Sequence, residues 1–136
     1  MRLEPFRQGR LDGLCGVYSV INALRLAVWP AHRLSRESCK DLFRLLTSEL
    51  AARSKLHDVL TGGSRHRLVA ALLREADSWL RDEYEIRLHY RRPYRAQASV
   101  RPSAIAATLA RHLATGQASV IAGLTGSIEH WTVVRP

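Results

Sequence analysis

The segment from Leu14 to Val28 constrains this chain more than any other stretch. Val17, Ile21, Leu24 and Val28 recur at helical spacing, and most residues between them are apolar or small. The helix they form therefore has no broad face suited to water and reads as buried. A chain of 136 residues suffices for one domain with a real core and is too short for two ordinary ones. The remaining sequence must supply the elements that enclose this helix.

A second apolar stripe, Cys39, Leu42, Phe43, Leu46 and Leu50, predicts a helix from Ser35 to Ala52 with Ser35 or Ser38 as its N-cap. The polar stretch Arg53 to Ser64 ends in Gly62-Gly63-Ser64 and reads as a loop. Leu68, Leu72, Ala76, Trp79 and Leu80 mark a third helix. At Tyr84 the period changes: Tyr84, Ile86, Leu88 and Tyr90 alternate with Glu85, Arg87, His89 and Arg91, as in a half-buried strand that Pro93 ends. Ile105, Leu109 and Leu113 predict a helix that Pro102 starts and Gly116 stops. Two more strands are expected, Ala118 to Leu124 and Glu129 to Val134, joined by the turn-forming Thr125-Gly126-Ser127. Helices come first and a mostly antiparallel sheet follows, an α+β layout in one domain spanning residues 1–136.

Charge and composition remove several classes. No apolar run reaches the roughly 18 to 20 residues a membrane helix requires. Met1 to Asp12 lacks an apolar stretch followed by a small-residue cleavage site, so the expected location is the cytoplasm, or export by a route that needs no signal. Cys15 and Cys39 form neither a disulfide framework nor part of a ligand cluster, and His32, His57, His66 and His112 read as solvated surface. No metal or cofactor is expected. The net charge is +9, and all but Lys40 and Lys55 of the 21 Lys+Arg residues are arginines. Arg87, His89, Arg91, Arg92, Arg95 and Arg101 make a basic face. Its plainest reading is a solvated or ion-paired strand surface, and its sharper one is a grip on an acidic protein partner. Nucleic acid is disfavoured, because Tyr84 and Tyr90 fall on the apolar face of the predicted strand, away from any base they would stack on.

Chemistry concentrates near the N-terminus. Cys15 stands where the glycine-punctuated Asp12-Gly13-Leu14-Cys15-Gly16 turns into the apolar helix. A sulfur at a helix N-terminus meets unpaired N–H groups and the positive end of the dipole, which favour the attacking thiolate. Gly13 and Gly16 would leave room for a substrate backbone. Gln8 lies across a short loop, and its amide together with the Cys15 N–H would form a two-donor oxyanion hole. His130, on the last predicted strand, would act as general base and then general acid, with Trp131 on the opposite face shielding or anchoring the site. Singly, each has a bland reading: a small buried hydrophobe for Cys15, a solvated loop residue for Gln8, a strand histidine for His130. Their joint presence in this order favours the functional one.

Gln8, the run Asp12-Gly13-Leu14-Cys15-Gly16-Val17-Tyr18-Ser19-Val20-Ile21-Asn22-Ala23 and the strand His130-Trp131-Thr132-Val133-Val134 resemble the papain-like cysteine peptidases. Among these the chain looks most like compact members such as bacterial double-glycine leader peptidases and Josephin-type deubiquitinases. The resemblance covers about a sixth of the chain and implies a papain-like fold in which the Cys15 helix packs on a C-terminal antiparallel sheet. It implies a thiol hydrolase: Cys15 attacks a peptide, isopeptide or glutamine amide, Gln8 stabilises the oxyanion and His130 carries the proton. Deamidases and acyl transferases use the same apparatus. A catalytically weak or inactive adaptor that binds an acidic partner through the arginine face is the alternative. The family also orients its histidine with an Asn or Asp from a following strand, and this sequence stops six residues beyond His130, at Pro136. The only asparagine, Asn22, lies roughly 10 Å along the helix from Cys15, and Glu129 should point to the far face of its strand. Three arrangements remain open: an orienting residue past Pro136, a backbone carbonyl or water in that role, or a Cys–His dyad.

Overall fold

In the computed structural model, residues 4–8, 12–29, 31–94, 99–116, 118–124 and 130–135 are described. The apolar segment forms α1 (Cys15–Val28), and ten of its residues are buried, among them Val17, Val20, Ile21 and Leu24. Burial on nearly every side places α1 at the centre. The helix ends at Trp29, which is extended (φ −76°, ψ 140°) and precedes Pro30, as sterics before a proline demand.

Two amphipathic helices cover one side of α1. Helix α2 (Arg36–Ala52) buries Cys39, Leu42, Leu46 and Leu50, and Ser35 caps it by accepting the Ser38 N–H at 3.0 Å. Its outer face carries the pairs Lys40–Glu37, Arg44–Asp41 and Arg53–Glu49. Helix α4 (His66–Tyr84) turns Val69, Leu72, Ala76 and Leu80 inward. Between them lies α3 (Leu56–Gly62), in the stretch expected to be a loop. Seven residues are too few to display a periodic stripe; Val59 is the one buried residue of α3, and Leu56 packs beside it on the core. Gly63, at φ 77°, ends it.

The expected strand at Tyr84–Arg91 does not form. Helix α4 continues through Tyr84, and Glu85 closes it in the left-handed region (φ 58°), its N–H donating to the Arg81 carbonyl at 3.1 Å. Beyond it the two-face alternation is real: Ile86 and Leu88 are half-buried against the core, while Arg87 and His89 are exposed. A pairing strand is what is absent among the described residues. The Leu88 N–H donates instead to Asp77 Oδ1 on α4, at 2.9 Å. Tyr90, expected to be buried, is 44% exposed.

Helix α5 (Pro102–Leu113) follows, with Pro102 in its first turn and no buried residue. Its ties include bonds between the Tyr94 hydroxyl and the Ala104 carbonyl and Thr108 hydroxyl. Strands β1 (Val120–Leu124) and β2 (His130–Val134) then pair antiparallel in the register Val120↔Val134 to Leu124↔His130. They pack on α1, and the Ser119 hydroxyl donates to the Ala23 carbonyl at 2.8 Å. The fold is a small α+β arrangement, five helices and a two-stranded sheet among the described residues. No helix among these residues is long and apolar enough to cross a membrane.

Because α1 is enclosed by α2 and α4, stability should concentrate in their buried leucines. Leu46 and Leu72 are fully buried, so Leu46→Ala or Leu72→Ala should each cost about 2–5 kcal/mol in chemical denaturation. Ile105→Ala, at a 38% exposed position on α5, should cost less than about 1 kcal/mol.

Candidate active site

One face of α1 organises the site. Cys15, Tyr18, Ser19, Asn22, Arg25 and Leu26 recur at helical spacing and line a cavity of about 410 Å³. Its opposite walls are the N-terminal strap of residues 4–8 and strand β2 from His130 to Val133, with Arg135 beyond. The three residues singled out in the sequence, Gln8, Cys15 and His130, all line this one cavity.

Side chains of α1 hold the strap. Asn22, 9% exposed, accepts the Phe6 N–H with Oδ1 at 2.9 Å and donates from Nδ2 to the Phe6 carbonyl at 2.9 Å. A side-chain amide thus makes both bonds that a neighbouring strand residue would make. One turn further, Arg25 Nη1 donates to the Glu4 carbonyl at 2.9 Å, and its guanidinium sits 4.4 Å from the centre of the Phe6 ring. Asn22 is therefore committed to the strap and does not orient His130. Glu129 lies outside the described residues.

Cys15 is the first residue of α1 and is 6% exposed. Asp12 Oδ1 accepts the Leu14 N–H at 3.1 Å, and the first α-helical bond runs from the Tyr18 N–H to the Leu14 carbonyl at 3.0 Å. The N–H groups of Cys15, Gly16 and Val17 thus precede the helical ladder, as at any helix start. The Cys15 thiol points to the Gly13 carbonyl at 3.8 Å. Gln8 Nε2 donates to the Asp12 carbonyl, while its buried Oε1 has no partner among the described residues. His130 is exposed at the start of β2. Among the described residues no hydrogen bond joins it to Cys15. The three groups share the cavity, with the thiol and the glutamine amide each turned onto a local carbonyl.

The two glycines beside Cys15 serve another purpose than the one expected. Neither lines the cavity. A Cβ on Gly13 would stand 2.0 Å from the Val59 carbonyl oxygen, and one on Gly16 would meet the Ser64 side chain at 2.9 Å and Val69 Cγ2 at 3.1 Å. They let the start of α1 press against α3 and the entry to α4. Trp131 completes that contact from the sheet side: its Nε1 donates to the Ser64 carbonyl at 2.6 Å, and its ring covers Gly123, where a Cβ would be 3.0 Å away. The tryptophan anchors β2.

Cys39 is 3% exposed in the core. Burial pushes its thiol up, against an opposing pull from the Arg25 charge. Among the described residues no group of three or more His, Cys, Asp or Glu side chains could hold a metal ion. His57, His66 and His112 are exposed, whereas His32 is half-buried with its ring 4.6 Å from that of Tyr84. On the basic face, Arg87, Arg91, Arg92 and Arg101 are exposed and outside the cavity, without an ion pair among the described residues. Arg95 is outside those residues. Sequence reasoning missed Asn22 and Arg25 as strap holders, although their three- and four-residue steps from Cys15 were the available signal.

Comparison with protein-family models gives no match. Curated proteins and solved structures give none either.

If Asn22 holds the strap, Asn22→Ala should release Phe6 while leaving the helices intact. Loss of two part-buried hydrogen bonds, each worth about 1 kcal/mol net, should raise hydrogen exchange at the Phe6 amide on the order of tenfold or more. The amides of α2 and α4 should keep their protection.

Proposed function

We propose that this chain is a cysteine-dependent amide hydrolase of the papain-like kind. The observation that carries the reading is the convergence of Gln8, Cys15 and His130, drawn from opposite ends of the sequence, on one cavity. Cys15 Sγ attacks the carbonyl carbon of a peptide, isopeptide or glutamine amide, and His130 takes the thiol proton. The oxyanion is held by the Cys15 backbone N–H and by Gln8 Nε2. The C–N bond then breaks, with His130 returning the proton to the leaving nitrogen. The thioester that remains is opened by water, which His130 deprotonates, giving a carboxylate and the free thiol. For this, Gln8 exchanges its bond to the Asp12 carbonyl for one to the oxyanion, and the thiol leaves the Gly13 carbonyl for His130. Attack of a different nucleophile on the same thioester would make the chain an acyl transferase, and a glutamine side-chain amide as substrate would make it a deamidase.

A second reading rests on exposed Arg87, Arg91, Arg92 and Arg101, which have no ion pairs among the described residues. In it the fold is an adaptor that binds an acidic protein chain. Soluble poly-glutamate should then bind the wild type and Cys15→Ala alike and lose affinity for Arg91→Glu with Arg92→Glu. Equal binding by the double reversal excludes it.

The hydrolase reading is tested by intact-mass analysis after exposure to a neutral thiol alkylator. Cys15 should label at least about tenfold faster than Cys39, since reactivity follows thiolate character and access. The rate should titrate with pH and fall in His130→Ala. Equally slow labelling of both cysteines, unchanged in His130→Ala, would remove the reading.

A further inference from the structure

We infer that the cavity is a groove for an extended peptide chain and that its far end takes a carboxylate about four residues from the bond Cys15 attacks; the inference rests on the hydrolase reading and adds a substrate class to it. Two segments run along α1, and their contacts fix the direction of each. The strap runs against the helix: Gln8 donates to the Asp12 carbonyl ahead of Cys15, Asn22 clamps Phe6, and Arg25 donates to the Glu4 carbonyl. Strand β2 runs with the helix. Trp131, next to His130, donates to the carbonyl of Ser64, the residue whose side chain crowds Gly16. At the other end Val134 pairs with Val120, and the neighbouring Ser119 bonds the Ala23 carbonyl. Strap and strand are therefore the long walls of the cavity, and α1 is its floor.

Cys15 and His130 stand at one end of this groove, and Arg25, Leu26 and Arg135 at the other. Cys15 and Arg25 are separated by about 15 Å of helix rise. An extended chain covers that distance in four to five residues, at about 3.3 Å each. Arg25 is half-buried, its Nη1 spent on the Glu4 carbonyl and its Nε buried without a partner. Arg135 is exposed, and neither arginine forms an ion pair among the described residues. Glu4, the single acidic side chain among the lining residues, is exposed at this same end. It offsets one guanidinium charge and leaves the other for a ligand. A carboxylate seated there gains attraction and the paired donors of a guanidinium fork. Arg7 stands nearer the thiol, on the strap between Phe6 and Gln8, but it is exposed. Water screens its charge more than that of half-buried Arg25.

Thiol alkylators built on oligoglycine spacers measure the distance, since each glycine adds at most about 3.6 Å. In one series an iodoacetyl group caps the N-terminus of a spacer that ends in a carboxylate or a primary amide. In the other a chloromethyl ketone sits at the C-terminus, and the N-terminus bears a succinyl or a succinamoyl group. The two series lay the chain in the groove in opposite directions. Both alkylate Cys15 Sγ with loss of halide, and within each the end groups differ by one negative charge. The carboxylate-to-amide rate ratio at Cys15, normalised to glutathione, should in one series pass through a maximum on the order of fivefold at about four residues. Salt at about 0.5 M should flatten that maximum. Arg135→Gln should lower it severalfold and Glu4→Gln should raise it, whereas Arg111→Gln on α5 should leave it in place. A maximum in the chloromethyl ketone series identifies an acidic side chain on the acyl side of the bond, where no free carboxylate terminus occurs. A maximum in the iodoacetyl series puts the carboxylate on the leaving side, and repeating it with Glu and an amidated end tells side chain from terminus. A ratio that is flat in both series, or highest at the shortest spacer, with rapid labelling by the amide reagents, overturns the inference and leaves the hydrolase reading standing. A maximum that falls as far in Arg111→Gln overturns it too, by tracing the effect to net charge. Equally slow labelling of Cys15 and Cys39 by every reagent defeats both.

Discussion

A helix with almost no solvent face must be wrapped, and the rest of this structure follows from the wrapping of α1. Helices α2 and α4 cover one side and the two strands another. What remains along α1 is the face of Cys15, Tyr18, Ser19, Asn22, Arg25 and Leu26, more polar than the helix as a whole. It is closed by the strap instead of a regular element. The site therefore lies where the apolar pattern of α1 runs out, and two of its polar residues, Asn22 and Arg25, hold the strap with their side chains. Asn22 shows this most plainly: a buried amide would cost about 1–3 kcal/mol if unpaired, and its two bonds to Phe6 remove that cost while fixing the strap. Glycine at two positions before and within the first turn lets the same helix start abut α3 and α4. Cys15 is consequently held by packing on one side and faces the cavity on the other.

The legible parts of the sequence were those in which burial is periodic. The α1, α2 and α4 stripes and the strands bearing Leu124 and His130 are each long enough, or alternate cleanly enough, to define an element. Alternation at Tyr84–Tyr90 was misleading for a definite reason. It records which side chains face the core, and Ile86 and Leu88 do face it. It does not record whether the main chain has a neighbour, and here Asp77 supplies the acceptor that a strand would have supplied. Helix α3 was illegible because a seven-residue element with one core residue carries no period at all.

Within the site, residue types and order were enough to nominate Gln8, Cys15 and His130, since acyl-transfer chemistry needs a nucleophile, a base and donors whatever the fold. Roles that depend on who touches whom were not legible. Gly13 and Gly16 looked like room for a substrate, yet the space beside each is filled by Val59 and Ser64. Asn22 is set apart from the thiol by its distance along the helix, and its work is on the main chain of Phe6. Such contacts join segments whose separation in sequence carries no repeat, and only the folded chain displays them.

On the hydrolase reading, the bonds made by Gln8 and Cys15 before substrate arrives have an energetic meaning. Gln8 Nε2 rests on a neutral carbonyl, and the thiol makes a long, weak contact with another. Exchanging a neutral hydrogen bond for one to an oxyanion is favourable, because a charge-assisted bond is about twice as strong. Exchanging it for one to a substrate carbonyl gains almost nothing, since that acceptor is no better than Asp12. The glutamine is therefore drawn into the cavity chiefly when negative charge develops there. An interaction strengthened only at that moment accelerates chemistry without tightening ground-state binding. The strap clamp is what makes the exchange possible: with Phe6 held by Asn22, Gln8 turns about its side-chain torsions alone, and its main chain need not be reordered at each turnover.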